Sequence, residues 1–189
     1  MSMHKALVIP VLSAMMFGAL ATAAPPVMAE EITCTGAMGA QTVDNLRVPQ
    51  DGNCTLNGTI VQGTIKVERN GSLDARAVRV IGNVQGENHR YVSVTQDSRI
   101  GGNIQLDQGG AFQVLNSRAE GIQVKSNTGA SFLQNNRVGA DIQVFSHSGG
   151  IKIAKNQVDG NLQCKENSPA PTGGKNVVQG NKEDQCRKL

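Results

Sequence analysis

Large aromatic side chains are nearly absent from this chain of 189 residues, which has no tryptophan, one tyrosine and four phenylalanines. Glycine, by contrast, occurs 22 times, and 39% of the residues are hydrophobic. Aromatic side chains supply much of the buried area of an ordinary globular core. The composition therefore argues against such a core and favours a long, thin one built from small and β-branched side chains.

The chain also lacks a strong excess of either charge. Lys and Arg number 18 against 15 Asp and Glu, which gives a formal net charge of +3. Without Lys5, which lies in a leader segment described below, the balance is 17 basic against 15 acidic residues, or +2. A net charge this small does not by itself predict a nucleic-acid partner, and we expect none.

The N-terminal segment has the features of a secretory signal peptide. His4 and Lys5 form a short basic start, an apolar run extends over residues 6–24, and residues 27–29 form a small-residue cleavage site. The run is nearly long enough to span a bilayer, so an uncleaved anchor is the alternative. Pro10 interrupts the run and favours the signal peptide.

We therefore predict a signal peptide over residues 1–29 and a single domain over residues 30–189. After cleavage no membrane-spanning segment is expected. The mature protein is then predicted to be secreted, or to reside in the periplasm or cell envelope.

A short phrase of the type V-x-G-x-I-Q-V returns along the mature chain at a nearly constant interval. The interval matches no helical or hairpin period, and it is typical of one coil in a stacked solenoid. The phrase begins at Val61, Val80, Ile100, Ala119, Val138, Val158 and Val178.

Stacking the repeats arranges the residues in columns that alternate apolar, polar and apolar, the period expected of a strand with one buried face. The first apolar column is Leu46, Ile65, Val84, Ile104, Ile122, Ile142 and Leu162, and the column two residues further on is Val48, Val67, Gly86, Leu106, Val124, Val144 and Cys164. Between them lies the polar column Arg47, Lys66, Gln85, Gln105, Gln123, Gln143 and Gln163. A separate apolar column is predicted to hold Cys34, Cys54, Leu73, Val92, Phe112, Phe132 and Ile151.

Together these columns give three short strands per coil, separated by turn-forming Gly, Asn, Asp and Ser. We predict an all-β, single-domain parallel β-helix of about eight coils, each of 18 to 22 residues. Left-handed β-helices usually show strict six-residue units, which this chain lacks, so a right-handed winding is expected.

The four cysteines fall in pairs at the two ends of the predicted solenoid. Neighbouring strands lie about 4.8 Å apart, which suits the Cα separation of a disulfide. We predict bonds from Cys34 to Cys54 and from Cys164 to Cys186, in an oxidising compartment. A metal site is the alternative, but two pairs at opposite ends cannot share one ion.

The column pattern resembles the right-handed parallel β-helix proteins, the superfamily that includes the pectate lyases. The tail from Gly160 to Cys186, GNLQCKENSPAPTGGKNVVQGNKEDQC, resembles the ending of uncharacterised exported bacterial β-helix proteins. The resemblance covers residues 31–189 and implies the fold and export. It implies no particular activity, because one fold hosts many functions.

Catalysis is not expected. The chain has few loop insertions from which to build a cleft, and no Ser-His-Asp order or metal-binding His/Cys spacing occurs. His89 and His147 fall at similar coil positions but three coils apart. We therefore predict no catalytic residue, metal or cofactor, although a polysaccharide lyase or hydrolase remains an alternative.

Two outward columns on one strand face carry polar side chains. The Gln column is expected to form a hydrogen-bonded amide ladder, with glycan or strand binding as the alternative. The second column changes from acidic to basic, and we expect it to be solvated rather than to bind Ca²⁺. It consists of Glu68, Glu87, Asp107, Lys125, Phe145 and Lys165.

Four arginines precede successive members of the Val61 column and form what we call the Arg strip. Like charges about 5 Å apart in water repel by roughly 0.8 kcal/mol, so the strip needs splayed side chains, acidic neighbours or a bound anion. The functional hypothesis is a non-enzymatic structural or surface-binding protein whose strip binds an anionic glycan or envelope polymer. Self-association into a surface assembly is a further alternative. The strip consists of Arg79, Arg99, Arg118 and Arg137.

Overall fold

A computed structural model describes residues 30–189 of the chain, where three parallel sheets wind into a solenoid of about eight coils. The all-β parallel solenoid predicted from the repeat is confirmed. The predicted signal peptide lies outside the described residues. Within residues 30–189, no helix has the length and apolar character needed to cross a lipid bilayer.

The described part of the chain contributes one strand per coil to each sheet. The first sheet has nine strands, Glu31–Thr33, Asn45–Val48, Ile65–Val67, Val84–Glu87, Asn103–Asp107, Gly121–Lys125, Ile142–Phe145, Leu162–Lys165 and Lys182–Asp184. The second has eight, Ala37–Met38, Asn53–Asn57, Ser72–Arg76, Tyr91–Thr95, Ala111–Leu115, Ser131–Gln134, Ile151–Ala154 and Thr172–Gly174. The third has eight short strands, Thr42–Val43, Ile60–Val61, Arg79–Val80, Arg99–Ile100, Arg118–Ala119, Arg137–Val138, Gln157–Val158 and Val177–Val178.

The strand register confirms the predicted columns of the first sheet. Ile104 pairs with Ile122, and Ile122 pairs with Ile142, although the second pair is further apart along the chain than the first. All three side chains are fully buried. The corners between strands therefore absorb differences in coil length while the interior columns stay aligned.

Phe132 does not occupy the interior column to which its spacing assigned it, so that prediction is wrong. Ser131, not Phe132, pairs with Ile151. Leu133 is fully buried, and the alternation along the strand turns Phe132 outward, where it is 41% exposed. Ser131 fills the interior position, and its hydroxyl accepts a hydrogen bond of 3.2 Å from the backbone N–H of Phe112.

Each coil turns at two corners through residues with positive φ, a conformation that Asn, Asp and Gly adopt most readily. One column of such residues lies between the first and second sheets, at Asp51, Asn70, Asn88, Gln108, Ser126, Ser146 and Glu166. The other lies between the second and third sheets, at Gly58, Ala77, Asp97, Asn116, Asn135, Lys155 and Lys175.

A buried asparagine ladder runs inside the corner between the second and third sheets. Asn136, Asn156 and Asn176 occupy successive coils and are at most 5% exposed. The backbone N–H of each of the first two donates to the side-chain oxygen of the next, at 3.0 Å in both cases. The ladder satisfies backbone groups that the corner would otherwise bury unpaired.

Both predicted disulfides are present. Cys34 is bonded to Cys54 and Cys164 to Cys186, with Cα separations of 5.5 and 5.2 Å. The single column proposed for the first pair is wrong. Cys34 follows a first-sheet strand, whereas Cys54 lies in the second sheet beside Gly36 of the preceding coil. The bond therefore crosses a corner of the solenoid.

The two bonds fasten the first and last described coils, which have a neighbouring coil on one side only. Structural disulfides persist in oxidising compartments. The two bonded pairs therefore indicate an oxidising environment, such as the periplasm or the outside of the cell.

Candidate functional site

The four members of the Arg strip are direct neighbours on the third sheet. Arg79 pairs with Arg99, Arg99 with Arg118, and Arg118 with Arg137. Adjacent strands of a sheet are about 4.8 Å apart, so the strip presents one guanidinium-bearing side chain per coil. All four side chains are exposed.

Local sequence explains why these arginines face outward. Each is the first residue of a two-residue strand whose second residue, such as Val80 or Val138, is buried. The residue before each arginine is also buried, as Ser117 is before Arg118. Strand alternation then directs the arginine side chain away from the core.

No member of the strip forms a salt bridge in the part of the chain that the structure describes. The salt bridges of that part join Arg47 to Glu31 and Glu68, and Arg76 to Asp74. The carboxylate of Glu120 lies on the same side of the molecule, two residues after Arg118, but no salt bridge joins the two.

One member of the strip has a fixed orientation. Arg137 donates from Nε and Nη2 to the side-chain oxygen of Gln157, at 3.1 and 2.9 Å. Gln157 occupies the strip position in the next coil. Among residues 30–189, the side chains of Arg79, Arg99 and Arg118 make no hydrogen bond to another side chain.

A recess of about 350 Å³ lies beside the C-terminal half of the Arg strip. Arg118 and Arg137 line it, together with Asp97, Asn135 and Lys155 of the positive-φ corner column. Buried Asn136 lines it as well. Lys155 and Asn135 were not among the site residues predicted from the sequence. They lie one repeat apart, and this spacing could have assigned them to one column beside the Arg strip.

The outer face of the first sheet forms a larger groove of about 820 Å³. A chain with so few loop insertions was not expected to form a recess of this size. Its lining includes both signs of charge in equal number, so the groove has no net preference for anions. The charged lining residues are Lys66, Arg69 and Lys125 against Glu68, Glu87 and Asp107.

The predicted amide ladder runs along this groove. Gln85 donates to Gln105 at 2.9 Å, Gln105 donates to Gln123 at 3.3 Å, and Gln143 donates to Gln163 at 2.8 Å. These bonds lie parallel to the solenoid axis and link neighbouring coils. The expected ladder is present in two segments, because no side-chain hydrogen bond joins Gln123 to Gln143 within residues 30–189.

The acidic-to-basic column on the same face has the predicted register. Glu87 pairs with Asp107, Asp107 with Lys125, and Lys125 with Phe145. In the described part of the chain, no group of three or more His, Cys, Asp or Glu side chains is arranged to hold a metal ion. One Oδ atom of Asp107 is buried without a hydrogen-bond partner there.

The two histidines of the described chain are buried and are not brought together. His89 lies over Gly109 of the next coil, where a Cβ would collide with the imidazole ring. Burial lowers the pKa of His89 to about 4. Burial also lowers the pKa of His147, whose ring makes an edge contact with Phe112 at 5.7 Å between centroids. Both imidazoles are therefore neutral at physiological pH.

Comparison of the chain with protein-family models, with curated proteins and with solved structures finds no match in any of the three. The geometry of the Arg strip, the recess and the groove is therefore the basis for the functional interpretation.

Proposed function

We propose that the protein is exported and binds an anionic polysaccharide or wall polymer of the cell envelope along the Arg strip, without catalysing a reaction on it. The observation that carries this proposal is the exposed run of Arg79, Arg99, Arg118 and Arg137 on adjacent strands, with no salt-bridge partner among residues 30–189.

An anionic polymer would offset the repulsion within the strip. Guanidinium groups form forked, charge-assisted hydrogen bonds with carboxylate and phosphate. A polymer whose charges repeat about every 5 Å, or a small multiple of it, would match the strand spacing. Binding would be weak per site, additive along the solenoid and sensitive to salt, since exposed charges are screened beyond about 8 Å at physiological ionic strength.

Export is supported by the predicted signal peptide and by the two disulfides. We place the mature protein in the periplasm, in the cell envelope or outside the cell. We also propose a right-handed winding, as in the pectate-lyase-like superfamily that the columns resemble. The uneven coil lengths favour that winding over a six-residue left-handed unit.

The test is retention on immobilised polygalacturonate and on a phosphate-rich wall polymer. A variant with Arg99, Arg118 and Arg137 all changed to Gln should lose most of its retention, and added salt should release the wild-type protein. The matched control changes three exposed lysines of the first-sheet face, Lys66, Lys125 and Lys165, to Gln. Equal retention of the two variants would remove the strip from consideration.

The first-sheet groove supports a second candidate, an enzyme that acts on polysaccharides. Its volume of about 820 Å³ and its carboxylate and amide lining suit a carbohydrate chain. Incubation with a panel of polyuronates and neutral glycans, followed by product analysis, tests this candidate. Release of unsaturated or shortened products would favour it over a binding protein.

Self-assembly is supported by the terminal strands of each sheet, which within residues 30–189 are hydrogen-bonded on one side only. Such edges can pair with another chain. Sedimentation velocity across a wide concentration range tests this alternative, because assembly would appear as species that grow with concentration.

A further inference from the structure

We infer that the recess beside Arg118, Arg137 and Lys155 is a subsite for one phosphate monoester group, and that it is the strongest anion-binding point on the molecule. The inference rests on the proposed function, which it makes specific. It names the position on the strip that binds most tightly and the chemical class of the anion.

Positive charge is concentrated at this recess because, within residues 30–189, it is where the Arg strip adjoins the basic part of the positive-φ corner column. The strip contributes Arg79 to Arg137, and the positive-φ corner column contributes Lys155 and Lys175 further along the chain. Beside Arg79 the corner residue is Ala77, and two residues before Arg99 it is Asp97. The N-terminal half of the strip therefore has no second cation at its corner.

The recess offers hydrogen-bond donors that the described chain leaves unused. The side-chain amides of Asn116 and Asn135 line it and make no hydrogen bond within residues 30–189. Arg118 and Lys155 are likewise free there of hydrogen bonds and salt bridges from their side chains. Such a set of donors suits an oxyanion with several acceptor oxygens.

Two of the side chains that line the recess are held in place, those of Arg137 and Asn136. Arg137 is anchored by its two hydrogen bonds to Gln157. Asn136, at 2% exposure, is fixed by the interior ladder. The remaining N–H groups of Arg137 are therefore in position before binding and lose less conformational entropy when the anion arrives.

Charge balance distinguishes phosphate from carboxylate. Three cations and the single carboxylate of Asp97 line the recess, which leaves two positive charges. A phosphate monoester carries about −1.5 to −2 at neutral pH and three acceptor oxygens, whereas a carboxylate carries one charge. The monoester therefore matches the recess in both charge and number of acceptors.

The experiment compares two sugars that differ in their anionic group, glucose 6-phosphate and glucuronate, with the full mature chain. Backbone amide chemical shifts should move at Asn116, Asn135 and Lys155 with glucose 6-phosphate. Its apparent affinity should exceed that of glucuronate by about tenfold, as expected for one additional charge-assisted contact.

Two double variants remove the same amount of charge from different places. Changing Arg118 and Lys155 to Gln should weaken glucose 6-phosphate binding by about tenfold or more. Changing Arg79 and Arg99 to Gln should weaken it less, by about threefold at most, because Arg99 lies one strand from Arg118 but does not line the recess. None of these four side chains forms a salt bridge within the described residues, so both variants should fold.

The outcomes separate this inference from the proposed function. Equal binding of the two sugars, equal losses in the two double variants, or no shifts at the recess would each overturn the phosphate subsite while retention on polymers still supported the strip. If the wild-type protein neither bound glucose 6-phosphate nor was retained on the polymers, both the phosphate subsite and the proposed function would be overturned.

Discussion

Asn136 and Asn156 are joined inside the solenoid by a hydrogen bond of 3.0 Å, in which Nδ2 of Asn136 donates to Oδ1 of Asn156. The same oxygen accepts the backbone N–H of Asn136 at 3.0 Å. Nδ2 of Asn156 donates in turn to the carbonyl of Leu133 at 2.8 Å. One buried side chain thus satisfies backbone groups that belong to a neighbouring coil.

Asn156→Ala should therefore destabilise the protein strongly. It leaves the N–H of Asn136 and the carbonyl of Leu133 buried without these partners, at about 1–3 kcal/mol for each unsatisfied group. We expect a loss of about 3 kcal/mol or more in urea-induced unfolding. Gln105→Ala is the control, since it removes two side-chain bonds from the outer ladder, where water can replace them. Equal losses in the two variants would contradict the structural role of the interior ladder.

The two neighbouring phenylalanine positions should respond very differently to truncation. Phe112 is fully buried, whereas Phe132 is 41% exposed. Phe112→Ala should cost about 3–5 kcal/mol, as in other buried aromatic sites, and Phe132→Ala about 1 kcal/mol or less. Thermal unfolding of both variants checks the register, and a larger loss at Phe132 would reverse the assignment of the two faces of that strand.

Stability should fall as the pH drops from about 6.5 to about 4. His89 has its pKa lowered by burial from 6.5 to about 4, so across this window the unfolded chain binds a proton that the folded chain does not. The stability that the neutral His89 side chain permits is fully present above pH 6.5, the pKa of His89 in the unfolded chain. It is lost as the pH falls toward 4, and the free energy of unfolding decreases by about 3 kcal/mol at most. Burial lowers the pKa of His147 as well, which acts in the same direction.

The measurement for His89 is urea unfolding at several pH values between 7.5 and 4 for the wild type and for His89→Asn. Asn occupies the corresponding corner position in other coils, at Asn127 and Asn167. The difference between the two proteins removes the contribution of the carboxylates. An unchanged pH dependence in the variant would show that His89 is not the group responsible.

Each disulfide should stabilise the coil at its own end of the solenoid. The bonds close loops with sequence separations of 20 and 22 residues, for which chain entropy predicts about 3 kcal/mol each. The double variants Cys34→Ser/Cys54→Ser and Cys164→Ser/Cys186→Ser should each increase amide hydrogen exchange near their own end. Peptide mapping without reduction should recover the two bonds separately. A peptide joining Cys34 to Cys186 would contradict the stacked arrangement.

The solenoid and most of its register could be predicted because two independent periods coincide in the sequence. Alternation within a strand identifies Leu46 and Val48 as inward, and the longer repeat carries the same assignment from coil to coil. The same repeat spacing predicted that the four arginines of the Arg strip lie on adjacent strands. Whether the strip binds a polymer remains a prediction, because a column of charge specifies no ligand.

Phe132 was misplaced because apolar character was given more weight than its neighbours. Ser131 lies about one repeat from both Phe112 and Ile151, so it fits the interior column as well as Phe132 does. Leu133 decides the register, since it pairs with both Val114 and Ile153 and is fully buried.

The asparagine ladder was missed because Asn serves two purposes at adjacent positions. Asn135 has a positive φ and an exposed side chain, whereas Asn136 is buried and hydrogen-bonded in the interior. Composition alone assigns both to a turn. The equal spacing of Asn136, Asn156 and Asn176, which follow one another at intervals of one repeat, was the signal that separates them.

The tolerance of the corners for coils of different length has a consequence for insertions and deletions. The pairs Ile104 with Ile122 and Ile122 with Ile142 stay aligned although their separations along the chain differ. A single residue inserted within a strand would turn every following side chain of that strand to the opposite face. A duplication of one whole repeat would instead add one complete coil and one more outward position on each face. Relatives of this chain should thus differ in length by whole multiples of a repeat, and a duplicated coil with an arginine at the strip position would lengthen the Arg strip by one residue.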